Sequence, residues 1–123
     1  MDSGLWTLDF GLRMFLHIVL FRPKPGISDA DRLAMFDALR LASTGIPSIR
    51  RFHVGRRVMH GRPYEKLMAE DYPYAAVIEF EDLAGLKAYL DHPRHDELGR
   101  LFYALMEAGL VYDYEMDYLA GAS

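Results

Sequence analysis

The run Met14 to Arg22 (MFLHIVLFR) limits the possible folds of this chain more than any other feature. Its β-branched and aromatic residues read as a strand, and Pro23, Pro25 and Gly26 stop it. Successive strand residues point to opposite faces, so Leu16, Ile18 and Leu20 share one face. Phe15, Val19 and Phe21 share the other, with His17 among them. A strand of a half-exposed sheet alternates apolar with polar residues, whereas this one is apolar on both sides and needs two covering layers.

The rest of the sequence supplies one such layer. Ser28 followed by Asp31 resembles a capping box, and Met35, Leu39 and Ala42 follow at helical spacing. This helix is expected to run to about Thr44, with Gly45 as a left-handed terminal residue and Pro47 beyond it. Ile49 to Arg56 reads as a second strand, with Phe52 and Val54 on one face and Ile49 and His53 on the other. Tyr74 to Glu81 is a third, with Tyr74, Ala76, Ile78 and Phe80 opposed to Ala75, Val77 and Glu79. Asp82 caps a short helix carrying Leu83, Leu86 and Leu90, and His92-Pro93 forces a break and restart. The helix opening at Pro93 presents Leu98, Leu101, Phe102 and Leu105, with Gly109 as its expected end, and Leu110 to Tyr118 is the last strand.

The order β-α-β-β-α-β predicts an α+β, ferredoxin-like domain whose helices cover one face of a four-stranded antiparallel sheet. The other face is left bare. Packing two such sheets face to face across a two-fold axis, as a dimeric α/β barrel, would cover it. A chain of 123 residues buries only about two-thirds of the surface its unfolded form exposes, so a homodimer interface would also add stability. Residues 1–13 read as an N-terminal extension whose Trp6 and Phe10 could dock on the domain or a partner, 14–118 as the domain, and 119–123 as a tail.

Fourteen Lys and Arg against eighteen Asp and Glu give a net charge of −4, which disfavours nonspecific binding to nucleic acid or anionic membrane. Arg50, Arg51, Arg56, Arg57 and Arg62 make the middle of the chain locally basic, read first as a solvated strand end and loop, with a phosphate or anion site as the alternative. The absence of cysteine removes thiolate chemistry and Cys-based zinc sites and fits a reducing, cytoplasmic setting. The apolar segment at Met14 to Phe21 is too short for a membrane span and lacks a cleavage signal. The polar stretch from Arg57 to Tyr72 is longer than most connections, which favours a functional or partner-contacting loop.

The segments HIVLFRPKPG at 17–26, VGRR at 54–57, EFEDLAGLKAYLDHPRH at 79–95 and the VYDYEM ending together resemble the stress-responsive A/B-barrel (Dabb) family, over roughly 14–116. The resemblance implies a ferredoxin-like unit that pairs into a dimeric barrel, and most members have no assigned reaction. A plant polyketide cyclase branch, also similar, closes linear polyketides by aldol condensation without a cofactor. It uses a strand-one His, a Tyr before the His-Pro pair and a His two residues after the Pro. Those positions match His17, Tyr89 and His95.

Chemistry at these positions competes with plain structural roles. His95 in the first turn of its helix would be favoured as a neutral base by the positive helix end, with Tyr89 donating to a developing enolate; the alternative is an exposed first-turn residue and a packed tyrosine. His17, expected on the bare face and pointing into the barrel, is either a ligand-orienting group or a core histidine needing a partner. Glu79 is read as half of an interfacial ion pair, with a base or a His17 partner as the alternative. His92 is read as an N-cap, so Asp91, His92, His95 and Asp96 are not expected to bind metal, and His53 and His60 are taken as surface residues.

Three functions follow: a protein for a small apolar or aromatic ligand, with a cyclase-like or isomerase-like reaction as its catalytic form; a noncatalytic stress or accessory protein; and a haem-degrading monooxygenase. The last lacks the Asn, Trp and His set it would need. No cofactor is expected.

Overall fold

A computed structural model describes residues 13–118, so Trp6, Phe10, most of the expected extension and the tail lie outside the described residues. The elements are β1 (Met14–Pro23), α1 (Asp29–Gly45), β2 (Ile49–Arg56), a 3-10 turn (Pro63–Leu67), β3 (Tyr74–Phe80), α2 (Leu83–Leu90), α3 (Pro93–Leu105) and β4 (Met106–Met116). The sheet order is β2-β3-β1-β4, with every neighbouring pair antiparallel, and all three helices lie on one side: the ferredoxin-like α+β fold.

Each helix starts where a side chain satisfies a free backbone N–H. Ser28 Oγ accepts from Asp31 N at 3.0 Å, Asp82 Oδ1 from Gly85 N at 2.8 Å, and His92 Nδ1 from Arg94 N at 3.1 Å. The core between helices and sheet is built on Ile78 and Phe80 of β3, Phe21 of β1, Met35 and Ala42 of α1, Leu86 and Tyr89 of α2, and Leu105.

The structure corrects four expectations. His17 lies directly opposite Ile78, a core residue, so it faces the helices rather than the bare side. The two faces of β1 are about equally apolar, and alternation alone does not say which one the helices cover. Ile49 shares the helix side with Phe52, because a β-bulge between Ile49 and Arg51 inserts one extra residue and resets the alternation. Gly45 is not left-handed: it is the last helical residue, and the Arg94 side chain of α3 occupies the space its Cβ would take.

Gly109 likewise does not end a helix. α3 stops at Leu105, and β4 begins at Met106 because the far end of β1 is long enough to pair with it, Arg22 opposite Ala108 and Pro23 opposite Met106. Gly109 sits opposite Phe21, and a Cβ there would come within 2.6 Å of Cζ of Phe102, whose ring packs edge-on against Phe21. The helical apolar spacing around Leu105 is overridden by pairing with a neighbouring strand.

The stretch between β2 and β3 is tied down at both ends. Arg57 N donates to the Pro73 carbonyl at 2.9 Å, and its guanidinium pairs with Asp71 at 2.7 Å. Within it the Glu65 carboxylate accepts from the backbone N–H groups of His60 and Gly61, and the Tyr64 hydroxyl meets His60 Nε2 at 2.7 Å.

On the side away from the helices, Glu79 faces Leu16 and Arg51 in register and pairs with Arg50 at 3.4 Å. Toward β1 and β4 this face is apolar, with Leu16, Ile18, Leu20 and Val77 only partly covered and Tyr112, Tyr114 and Met116 exposed, while at β2 it carries Arg51 and His53. Phe80, with no exposed surface, anchors the covered side. Phe80→Ala should cost about 3–5 kcal/mol in urea unfolding, the range for deleting a buried aromatic ring. A loss under about 1 kcal/mol would show that the helix layer does not depend on it.

Candidate active site

Three elements bring the three sequence-singled residues into one cluster. β1 carries His17, the last turn of α2 carries Tyr89, and the first turn of α3 carries His95. The break between the two helices creates this meeting: His92 N donates to the Tyr89 carbonyl at 3.1 Å, Pro93 cannot continue α2, and the chain folds back. The Tyr89 and His95 ring centroids come to 4.7 Å, those of His17 and Tyr89 to 5.5 Å, and those of His17 and His95 to 6.5 Å, all edge-on.

His17 has the partner its burial requires. Its Nδ1 lies 2.5 Å from Oδ1 of Asp113, directly across on β4. A carboxylate accepts, so the ring donates from Nδ1 and keeps Nε2 available. Asp113 was not singled out from sequence, although a signal was present: in VYDYEM it shares a face with Val111, in a strand destined to pair antiparallel with β1. Glu79, the carboxylate considered for this role, lies on the opposite side of the sheet.

The cluster forms one end of a cavity of about 540 Å³, within the roughly 300–1,000 Å³ usual for small-molecule sites. Its remaining wall is mostly apolar, with Phe52, Leu39, Leu98 and Phe102 among the lining residues. Tyr89 is almost fully buried, yet its hydroxyl makes no hydrogen bond to a protein group among the described residues. Tyr89 lines the cavity, so a hydroxyl without a protein partner there is available to a ligand.

The surroundings drive Tyr89 and His95 apart in proton affinity. Burial, and then the negative charge of Asp113, push the Tyr89 phenol well above its ordinary value, so it keeps its proton. Burial lowers His95 below the ordinary imidazole value, with the neighbouring His17 ring adding to the effect, while Asp96 and the Leu90 carbonyl oppose it. One group is thus held as a donor and the other as an unprotonated acceptor, the pattern that assigns acid and base roles. His92, whose ring caps α3, is committed elsewhere, and no group of three potential metal ligands occurs among the described residues.

Because His95 binds its proton more weakly folded than unfolded, its contribution to stability is complete above the unfolded value of about 6.5 and is lost as pH falls through the lower folded value. Proton NMR should place the His95 midpoint below 6.5, and the stability loss between pH 7 and 5 should shrink in His95→Gln. A midpoint at or above the free-imidazole value would remove the neutral base.

The chain is 24% identical over 98 residues to olivetolic acid cyclase of Cannabis sativa, spanning 80% of this chain and 92% of the cyclase. Its fold matches hydroxynitrile lyase from Passiflora edulis with a TM-score of 0.72 at 18% identity, covering 88% of this chain and 97% of the lyase. It also matches a dimeric ferredoxin-like protein of unknown function from Thermobifida fusca with a TM-score of 0.66 at 23% identity, covering 89% and 97%. The model of the stress responsive A/B barrel domain, Dabb, matches residues 15–116, from β1 to the end of β4. The protein is a member of the Dabb family.

Proposed function

We propose that this protein is an acid/base enzyme acting on a small, largely apolar carbonyl compound, with His95 as base, Tyr89 as hydrogen-bond donor and His17 held by Asp113 as the group that orients the ligand. The observation that carries this reading is the convergence of a phenol held protonated and an imidazole held neutral, with ring centroids 4.7 Å apart, on the wall of a mostly apolar cavity. The relationship to a cyclase supports it, and so does the sufficiency of these groups: proton removal beside a carbonyl needs only a base and a donor to the forming oxyanion.

In the proposed step, His95 takes a proton from the carbon next to the substrate carbonyl. The C–H electron pair becomes the new C=C bond, and the carbonyl π pair moves onto oxygen, which accepts the Tyr89 O–H. In an aldol closure the enolate carbon then attacks a second carbonyl carbon of the same molecule, a C–C bond forms, and the new alkoxide takes the proton back from His95. Nothing is oxidised or reduced. The mostly apolar walls lower the local dielectric, which strengthens the Tyr89 hydrogen bond at the moment charge develops.

The working unit in this proposal is a homodimer. The uncovered sheet face, with Ile18, Val77, Tyr112 and Tyr114, is the apolar surface a second copy would cover, and the related protein from Thermobifida fusca is dimeric.

Deuterium exchange at the α-carbons of 2-octanone, followed by NMR, tests the chemistry. The protein should accelerate it, His95→Gln should lower the protein-catalysed rate about 10²-fold or more, and Tyr89→Phe should lower it by a comparable factor. No acceleration by the intact protein, or undiminished exchange in both variants, would end the proposal. For the assembly, Ile18→Asp should convert a dimer into a monomer in light scattering, and a wild-type chain that is already monomeric would refute that part.

A further inference from the structure

A second cavity of about 960 Å³ opens at the other end of the helix-covered face, between the first half of α1 and the end of β2. It shares Phe21, Met35, Leu39 and Met106 with the first cavity, so the two are adjoining parts of one cleft beneath α1. Its chemistry differs. Arg32, Arg56 and Arg57 line it, and no Asp or Glu does.

Arg57 is occupied by Asp71, but Arg32 and Arg56 form no ion pair with any of the described residues. Phe36, Val54 and Val58 line the same opening and remain 64%, 43% and 74% exposed. Large apolar side chains and unpaired guanidinium groups around one hollow complement a molecule that is apolar along its length and negative at its end. The proton-transfer site needs neither feature.

We propose that this opening binds an apolar chain ending in a carboxylate, the chain lying against Phe36, Val54 and Val58 and the carboxylate meeting Arg32 and Arg56. Guanidinium groups match the two oxygens of a carboxylate. Phosphate sites of the common kind use a glycine-rich turn or a free helix N-terminus, and here Ser28 already caps the start of α1. The basic stretch around Arg56 thereby becomes a ligand-facing rim rather than a solvated strand end.

Calorimetric titration of the intact protein with octanoate, 1-octanol and octyl phosphate at low ionic strength tests this. Octanoate should bind at least ten-fold more tightly than octanol, and the preference should disappear in Arg32→Gln/Arg56→Gln while octanol binding is unchanged. Both arginines are exposed, so the replacements should spare the fold, and the comparison on the unmutated protein stands regardless. Equal affinity for octanoate and octanol, a preference that survives in the double variant, or tighter binding of octyl phosphate would overturn the carboxylate site. Octanoate binding involves neither Tyr89 nor His95, so such a result would leave the acid/base reading untouched.

Discussion

One strand with two apolar faces governs the whole molecule. β1 is central, flanked by β3 and β4, and the three helices among the described residues cover one of its faces. That asymmetry divides the domain. On the covered side a cavity remains beside His17. On the other side Leu16, Ile18 and Leu20 are only partly covered by the described residues, with Glu79 opposite Leu16 and Val77 opposite Ile18.

Putting His17 in the middle of such a strand has an energetic cost unless its polar atoms are satisfied. Asp113 satisfies one nitrogen, and each member of the pair adds to the electrostatics of a neighbour. The Asp113 charge reaches Tyr89 and raises its proton affinity, and the His17 ring reaches His95 and lowers its proton affinity. A single cross-strand pair thus acts on both neighbours in opposite senses. Burial is the larger cause in each case, so the enclosure by α2 and α3 matters as much as the charges.

Local signals carried most of the architecture. Caps at Ser28, Asp82 and His92, the Pro93 break and the strand alternation are properties of a few adjacent residues, and they are visible without knowing what packs where. The convergence of His17, Tyr89 and His95 became visible through family resemblance, since residues on three elements share no local spacing. What stayed hidden depends on pairing between distant strands. The face of His17 follows from register against Ile78, the side of Ile49 from a bulge, and the role of Asp113 from standing opposite His17 across 96 residues of chain. Gly109 misled for a related reason: glycine after a helical pattern usually means a C-cap, whereas here it leaves room for the ring of Phe102.

β4 joins the two halves of this division. It is an edge strand, paired on one side only, and its alternation sends Asp113 toward the site and Tyr112 and Tyr114 toward the uncovered face. An edge strand is the part of a sheet most free to twist or fray. The 2.5 Å contact with His17 tolerates little displacement, because a charge-assisted hydrogen bond weakens quickly with distance and angle. The uncovered face and the candidate site therefore meet in three consecutive residues of β4, Tyr112, Asp113 and Tyr114.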